Sequence, residues 1–242
     1  MNVIVVQYET RRDTALRLLM KYTRDYCLQH GYTYTCPTDE YDIPLYWIKV
    51  KLIQDLFNSV PASQDLCVAW IDSDAVFVRT EVTVESIMQN AHGRDFVTSL
   101  DPGSTTDMNA GVFFIRRTDE MRQLVDDWMD CYKTDRWSKS MDAEGSIKWT
   151  TKGKWAGPDY EQGSFNAVIM PKYRHEIALL PEKVFACYEP VYPAETIVCH
   201  FMYKHKWKIW VYNGIRQMPE LAGWVLLGIA ATLLKRGLQR RV

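Results

Sequence analysis

Short apolar runs alternate along this chain with stretches in which apolar residues recur every three to four positions. This is the pattern of strands separated by helices. Residues 2–8 form the first run. Residues 14–30 then carry Ala15, Leu16, Leu18, Leu19, Tyr22 and Tyr26 at helical spacing, with Gly31 placed as a C-cap. Residues 32–35 alternate like a short strand, residues 46–57 read as a second helix closed by Asn58 and Pro61, and residues 66–71 as a third strand. This β-α-β-α-β order predicts an α/β protein with a parallel sheet and right-handed crossovers. Further along, a short helix is expected over 82–90, strands over 95–100 and 112–116, and an amphipathic helix over 120–132. A helix over 163–170 stops before Pro171. Short strands follow at 177–180 and 184–187, and a last one over 197–201 ends near His200.

The most informative stretch is LCVAWIDSDAVFV, residues 66–78. An uncharged run climbs to Asp72, Ser73 separates it from Asp74, and an apolar run resumes. Ligands of open α/β sheets gather outside the carboxyl ends of the strands. Two acids there need compensation, because desolvating unpaired charge is costly. A hard divalent cation, Mg²⁺ or Mn²⁺, supplies it and usually completes its shell with substrate phosphates. His200 could add a ligand, and imidazole suits Mn²⁺ better than Mg²⁺. The lysines just after it could neutralise a diphosphate. No GxGxxG follows the first strand, which argues against a dinucleotide-binding fingerprint. Gly111, behind a small Ala110, implies a backbone that needs room beside a ligand.

Composition adds less. The chain of 242 residues is 47% hydrophobic and 24% charged, ordinary for a globular protein with a sizeable core. Its net charge of −1 hides a split, with +7 over residues 199–242 and −8 over the rest, so an anionic ligand or surface is expected near the C-terminal part. Nucleic acid is not expected, since no nucleic-acid motif accompanies the charge. Six cysteines lack zinc-type spacing, and Cys27 and Cys67 read as core thiols in a reducing compartment. Residues 133–157 form a long polar stretch holding Trp137, Trp149 and Trp155, either sugar-stacking platforms or pins that hold a loop to the body. Residues 221–234 are apolar with a single polar Thr232 and a basic flank at Lys235, Arg236, Arg240 and Arg241. At fourteen residues they fall short of a bilayer span. They would instead pack on the domain or make peripheral membrane contact through 221–241. A domain over 1–217 followed by this helix-and-tail segment over 218–242 is expected. No signal peptide or N-terminal anchor is read at the start, so a cytoplasmic location, or one at the cytoplasmic face of a membrane, is expected.

The chain resembles metal-dependent glycosyltransferases of the GT-A fold, closest to the family 34 galactosyl-, xylosyl- and mannosyltransferases and more distantly family 8. The resemblance lies in YCLQHGY at 26–32, Trp47-Ile48-Lys49, WIDSDAVF at 70–77, NAGVFFIR at 109–116, DYEQ at 159–162 and HF at 200–201. It implies a Rossmann-like, mainly parallel sheet flanked by helices and an enzyme that moves a hexose or pentose from a nucleotide-diphosphate sugar to a glycan or glycoprotein acceptor. UDP is the expected carrier and GDP the alternative. It implies metal ligation by Asp72, Asp74 and His200, with Mn²⁺ ahead of Mg²⁺. Donor contacts would come from Asp72, Asp101, Asn109, Ala110, Gly111, Lys49 and Lys206, with Lys204 competing for the role of Lys206. Gln162 would sit beside the anomeric carbon, with Glu161 and Asp159 as the carboxylates nearby. Such families retain anomeric configuration, and a glutamine next to the carbon favours front-face attack over a covalent intermediate. The chain departs from the family 8 ending after its histidine, since Met202 and Tyr203 replace the glycine region and no proline precedes Trp207.

Two other readings compete. Asp72-Ser73-Asp74-Ala75-Val76 also fits the nucleophile loop of haloacid-dehalogenase phosphatases, with Asp72 as nucleophile, Thr98 as a second motif and Asp126-Asp127 as an acidic pair. A non-catalytic sugar-binding protein would account for the 13% aromatic content.

Overall fold

The computed structural model describes residues 1–39, 41–61, 63–141, 147–202 and 205–217. Lys204 and the apolar segment with its basic tail, within 218–242, lie outside the described residues. Among the described residues no helix is long and apolar enough to cross a membrane.

The order of elements is β1 (Asn2–Val6), α1 (Thr14–His30), β2 (Thr33–Thr35), α2 (Leu45–Ser59), β3 (Leu66–Ile71), β4 (Ala75–Phe77), α3 (Val84–Gln89), β5 (Phe96–Leu100), β6 (Met108–Arg116) and α4 (Asp119–Asp130). After these come β7 (Trp137–Met141), β8 (Ile147–Thr151), α5 (Glu161–Ser164), a π-helical stretch (Phe165–Ile169), α6 (Met170–Tyr173), β9 (Ile177–Leu180), α7 (Glu182–Phe185), β10 (Val198–His200) and α8 (Lys208–Gln217). Local chemistry sets the helix ends. Asp13 caps α1 by accepting from the amides of Ala15 (2.8 Å) and Leu16 (3.2 Å). Gly31 closes the same helix at φ 69°, a left-handed conformation that costs glycine little. Thr83 and Thr118 cap α3 and α4 in the same way as Asp13.

Six strands form the main sheet in the order β2-β1-β3-β6-β5-β9. Every neighbouring pair is parallel except those of β6, which runs antiparallel to both β3 and β5. The strand period of two sorts side chains between two cores. Ile4, Val6, Val68 and Trp70 pack with Trp47, Ile53, Trp128 and Phe165 on one face. Val3, Val5, Cys67, Ala69 and Ile71 pack with Tyr26, Phe77, Ile87 and Phe185 on the other. All six residues of β3 are buried, as expected for a strand covered on both faces. A small antiparallel pair, β4 with β10, lies beside α1 and α8 and shares a third cluster with them around Leu16, Val76, Cys199, Phe201 and Ile209.

The structure differs from the sequence expectations in three places. Residues 133–157 are not an open loop, because β7 and β8 form an antiparallel ladder from Trp137↔Thr151 to Met141↔Ile147. Residues 182–185, beyond Pro181, are helical rather than extended, and only Cys187 makes an isolated bridge, to Cys199. The expected helix over 163–170 widens into a π stretch, with the amide of Met170 bonded to the carbonyl of Phe165, and continues through Pro171. A proline ring clashes with the carbonyl four residues earlier in an α-helix, and a wider turn relieves that clash. All six cysteines are free thiols, with Cys27 and Cys67 in the core.

Candidate active site

The carboxyl end of β3 delivers the Asp pair, and β6 determines what faces it. Because β6 is antiparallel, its first residues lie beside the last residues of β3, with Ile71 opposite Val112. The amide of Asp72 donates to the carbonyl of Gly111 (2.8 Å), so the two motifs WIDSDAVF and NAGVFFIR meet edge to edge. The chain turns at once, the amide of Ala75 bonding back to the carbonyl of Asp72 (2.9 Å), and enters β4. Antiparallel pairing sets His200 opposite Ala75, and the amide of Phe201 donates to the carbonyl of Asp74 (2.8 Å). Thus the two small strands bring a histidine 126 positions away up to the aspartates.

Within this junction the ligand atoms of Asp72, Asp74 and His200 lie within 4.8 Å of one another. His200 Nε2 is 3.1 Å from Asp74 Oδ1 and 3.7 Å from Asp72 Oδ2. The other oxygen of Asp72 is already engaged, accepting from Trp70 Nε1 (2.7 Å) and Lys49 Nζ (3.3 Å). Asp72 therefore offers one oxygen toward the histidine and has the other fixed, which orients it as an outer-shell partner orients a metal ligand. The His200 ring is 4% exposed and lies in a cradle that only glycine leaves open. A Cβ on Gly111 would stand 2.0 Å from Cε1 and 2.6 Å from Nδ1 of that ring. Nδ1 has no hydrogen-bond partner. Two hard carboxylate oxygens and an imidazole nitrogen suit Mn²⁺, and the donor set fits it. The other trio of ligand-type groups among the described residues, Glu120, His175 and Glu176, lies mostly exposed away from this junction.

Charge follows the same geometry. Burial works against the charged forms, but His200 and, at 4.0 Å, Lys206 together with Arg11 hold the Asp74 carboxyl below the usual range. Burial would lower His200, yet Asp74 and Asp72 raise it above its ordinary value. Lys49 is a second centre. It projects from α2 and donates to Asp72, to the carbonyl of Ala110 (3.0 Å) and to Glu161 Oε1 (3.1 Å). Burial opposes its charge, but the two carboxylates raise its pKa. Glu161 shares that one cation with Asp72, so burial prevails and pushes its own pKa up.

A cavity of about 1160 Å³ opens over this floor, lined by Asp72, Asp74 and His200 and by Lys49, Asp101, Asn109, Gly111, Glu161, Gln162 and Lys206. Asn109 donates to Asp101 (2.7 Å) and accepts from the amide of Gly111 (2.9 Å), so these polar groups are held together at the start of β6. Gln162 accepts from the amide of Ala110 (2.9 Å). An N–H needs an acceptor, so the amide orientation is fixed with Oε1 on the strand, and the two Nε2 hydrogens are left to donate elsewhere. Ala110 is buried and contributes only its backbone. Asp159 lies apart from the other expected acids. It does not line the cavity, and its carboxylate is taken by Arg136 (2.9 Å) and Thr151 (2.7 Å) at the base of the β7–β8 hairpin. The acids expected for a phosphatase are elsewhere too. Asp126 bonds Gln54, and Asp127 bonds Tyr173 and Lys172, on α4.

Some lining residues, Glu9 and Tyr46 among them, carry no motif. Glu9 holds Arg11 (2.6 Å) and Ser73 (2.6 Å). Its position just beyond the end of β1, on the same edge as Asp72, was the available signal. Tyr46, Trp155 and Tyr160 line the cavity as a mutually touching aromatic group, with ring centroids 4.9 to 5.2 Å apart. Of the other two tryptophans, Trp137 is buried and Trp149 packs partly on the core, so those two act as pins.

This fold matches solved structures. A glycosyltransferase involved in the glycosylation of the major capsid of PBCV-1 superposes with a TM-score of 0.65 at 14% identity, covering 88% of this chain and 100% of that one. A looser match, TM-score 0.43 at 10% identity, is the catalytic domain of Drosophila β1,4-galactosyltransferase 7 in complex with xylobiose, over 84% of this chain and 72% of that one. No curated protein matches the sequence significantly. The architecture is that of the GT-A-type glycosyltransferases. Residues 3–94, the part that contains β1 to α3 and the Asp pair, match the galactosyl transferase GMA12/MNN10 family, the family 34 to which the motifs point.

Proposed function

We propose that the chain transfers a hexose or pentose from a nucleoside-diphosphate sugar, with UDP ahead of GDP as carrier, to a glycan acceptor, using Mn²⁺ held by Asp72, Asp74 and His200. The observation that carries this reading is the convergence of those three ligand atoms, within 4.8 Å, on the floor of a cavity lined by further donors. Bound there, the cation supplies Lewis-acid neutralisation of the charge that grows on the leaving diphosphate. Lys206, 4.0 Å from Asp74, adds positive charge on the same side. Asp101 and Asn109, bonded to each other, offer their remaining lone pairs and hydrogens to sugar hydroxyls.

Retention of configuration is the stereochemistry we propose, by front-face attack. A covalent intermediate needs an unencumbered carboxylate beneath the anomeric carbon. Glu161 is bound to Lys49 and Asp159 is held by Arg136 and Thr151, which leaves neither as a free nucleophile. The Nε2 hydrogens of Gln162 instead provide a neutral donor beside the reacting centre. Incubation with UDP- and GDP-sugars, Mn²⁺ and a mixed oligosaccharide pool tests the reading by mass spectrometry and by the NMR coupling of the new anomeric proton. Nucleoside diphosphate release with an axial-to-axial or equatorial-to-equatorial outcome supports it. Mn²⁺-dependent nucleotide binding without any transfer points instead to a non-catalytic sugar-binding protein.

A further inference from the structure

The wall of the cavity has two chemistries. One is the polar set around Asp72, and the other is the aromatic trio Tyr46, Trp155 and Tyr160 with the exposed Leu45 nearby. They join where Tyr160 is followed by Glu161 and Gln162, which bond Lys49 and Ala110. The volume, about 1160 Å³, exceeds the ~300–1,000 Å³ typical of a site for one small ligand. A nucleotide donor does not need the aromatic part for charge recognition, whereas a pyranose ring presents a C–H face that gains by leaving water against an aromatic surface.

The trio is also built to stay in place. Tyr160 meets Tyr46 at 4.9 Å, Trp155 at 4.9 Å and the buried Trp137 at 5.2 Å, and Trp155 meets Tyr46 at 5.2 Å. Trp155 remains 51% exposed. The residue after it, Ala156, is held at φ 54°, a left-handed conformation that a non-glycine residue adopts only where its surroundings impose it. Those surroundings are visible. A Cβ on Gly163 would lie 2.1 Å from the carbonyl oxygen of Gly157 and 2.2 Å from that of Ala156, so α5 presses directly on this turn. A Cβ on Gly153 would lie 2.2 Å from Asp159 Oδ2, so the carboxylate that bonds Arg136 and Thr151 also fills the space under the bend that leads from β8 to Trp155.

We propose that Trp155, backed by Tyr46 and Tyr160, is the stacking platform for the acceptor saccharide, and that Asp159 is a positioning residue that fixes this platform rather than a catalytic group. The proposal rests on the glycosyltransferase reading, and its test separates the two. Wild type, Trp155→Ala, Trp155→Phe and Asp159→Asn are compared in transfer to a panel of α- and β-linked di- to tetrasaccharides of glucose, galactose, mannose and xylose. The affinity for Mn²⁺–UDP is measured alongside, and Tm confirms folding. Trp155→Ala is expected to raise the acceptor KM at least tenfold, to keep nucleotide affinity within twofold and to be largely rescued in Trp155→Phe. Asp159→Asn is expected to raise acceptor KM while kcat is kept. The proposal is overturned by an unchanged acceptor KM in Trp155→Ala, by a loss of kcat without KM in Asp159→Asn, or by a wild type that transfers to none of the saccharides. A wild type that binds no Mn²⁺–nucleotide overturns the functional reading itself.

Discussion

Substituting Gly111 by alanine tests the cradle that sets His200. The added methyl would stand 2.0 Å from Cε1 and 2.6 Å from Nδ1 of the ring, and 2.9 Å from Asn109 Oδ1. Carbon atoms in contact settle near 3.5–4.0 Å, so the ring must retreat by about 1.5 Å. A workable metal site tolerates shifts of only about 0.2 Å in ligand distance. The ring is also buried against β4 and cannot swing freely. Loss of orientation at one ligand costs about 10- to 100-fold in metal affinity, or roughly 1.4–2.8 kcal/mol. Calorimetric titration of Mn²⁺ into wild type and Gly111→Ala reads this directly. Gly214→Ala on α8, where a methyl would meet nothing within 4 Å, serves as the control and should bind like wild type. A folded Gly111→Ala protein with wild-type Mn²⁺ affinity would refute the reasoning, because His200 would then not be a ligand or would not be held by β6.

Three further outcomes follow from the buried charges. Mn²⁺ must displace a proton from His200, whose pKa lies above 6.5 because of Asp74 and Asp72. Apparent Mn²⁺ affinity should therefore fall about tenfold per unit as pH drops below that raised value, and a flat profile between pH 5 and 8 would count against it. Without metal the sign reverses for stability. The raised His200 contributes fully below 6.5 and less as pH climbs through its folded value, while the depressed Asp74 contributes above 3.8 and is lost as pH falls through its lowered value. Chemical denaturation of the metal-free protein should show a maximum between them. Removing Lys49 leaves Glu161 and Asp72 without their shared cation, and breaking such a buried pair costs about 3–5 kcal/mol. Lys49→Met should unfold at markedly lower urea, and Lys49→Met with Glu161→Gln should recover part of the loss; a single variant as stable as wild type would mean that the pair is not buried as described.

Much of the scaffold is readable from periodicity. The span of α1, its Gly31 cap and the run into Asp72 all depend on local spacing and capping chemistry, which a linear pattern carries. The direction of β6 depends on a longer-range fact, yet it leaves a trace. The connection between Leu100 and Met108 is too short for the dozen or more residues of a parallel crossover, so the two strands have to run antiparallel. The polar stretch after α4 hid its hairpin because both strands are largely exposed and lack an apolar face. Residues 184–187 look extended by composition, but Val184 and Phe185 complete the helical turn that follows Pro181, and only Cys187 keeps a strand-like bridge. Asp72, Asp74, His200 and Lys49, which the structure brings together, could be named from the acid pair at a strand end and from the motif resemblance. The role of Asp159 could not, because its partners Arg136 and Thr151 are brought to it only by the hairpin.

The central claim is that the Asp pair at the end of β3 and His200 on β10 form one metal-dependent nucleotide site. Titrating UDP and GDP into the protein with Mn²⁺, with EDTA, and into Asp74→Ala and His200→Ala tests it most directly. The account predicts one nucleotide per chain, binding only with Mn²⁺, and at least tenfold weaker in each variant. Nucleotide binding that is equally tight in EDTA, or undiminished in either variant, would contradict it.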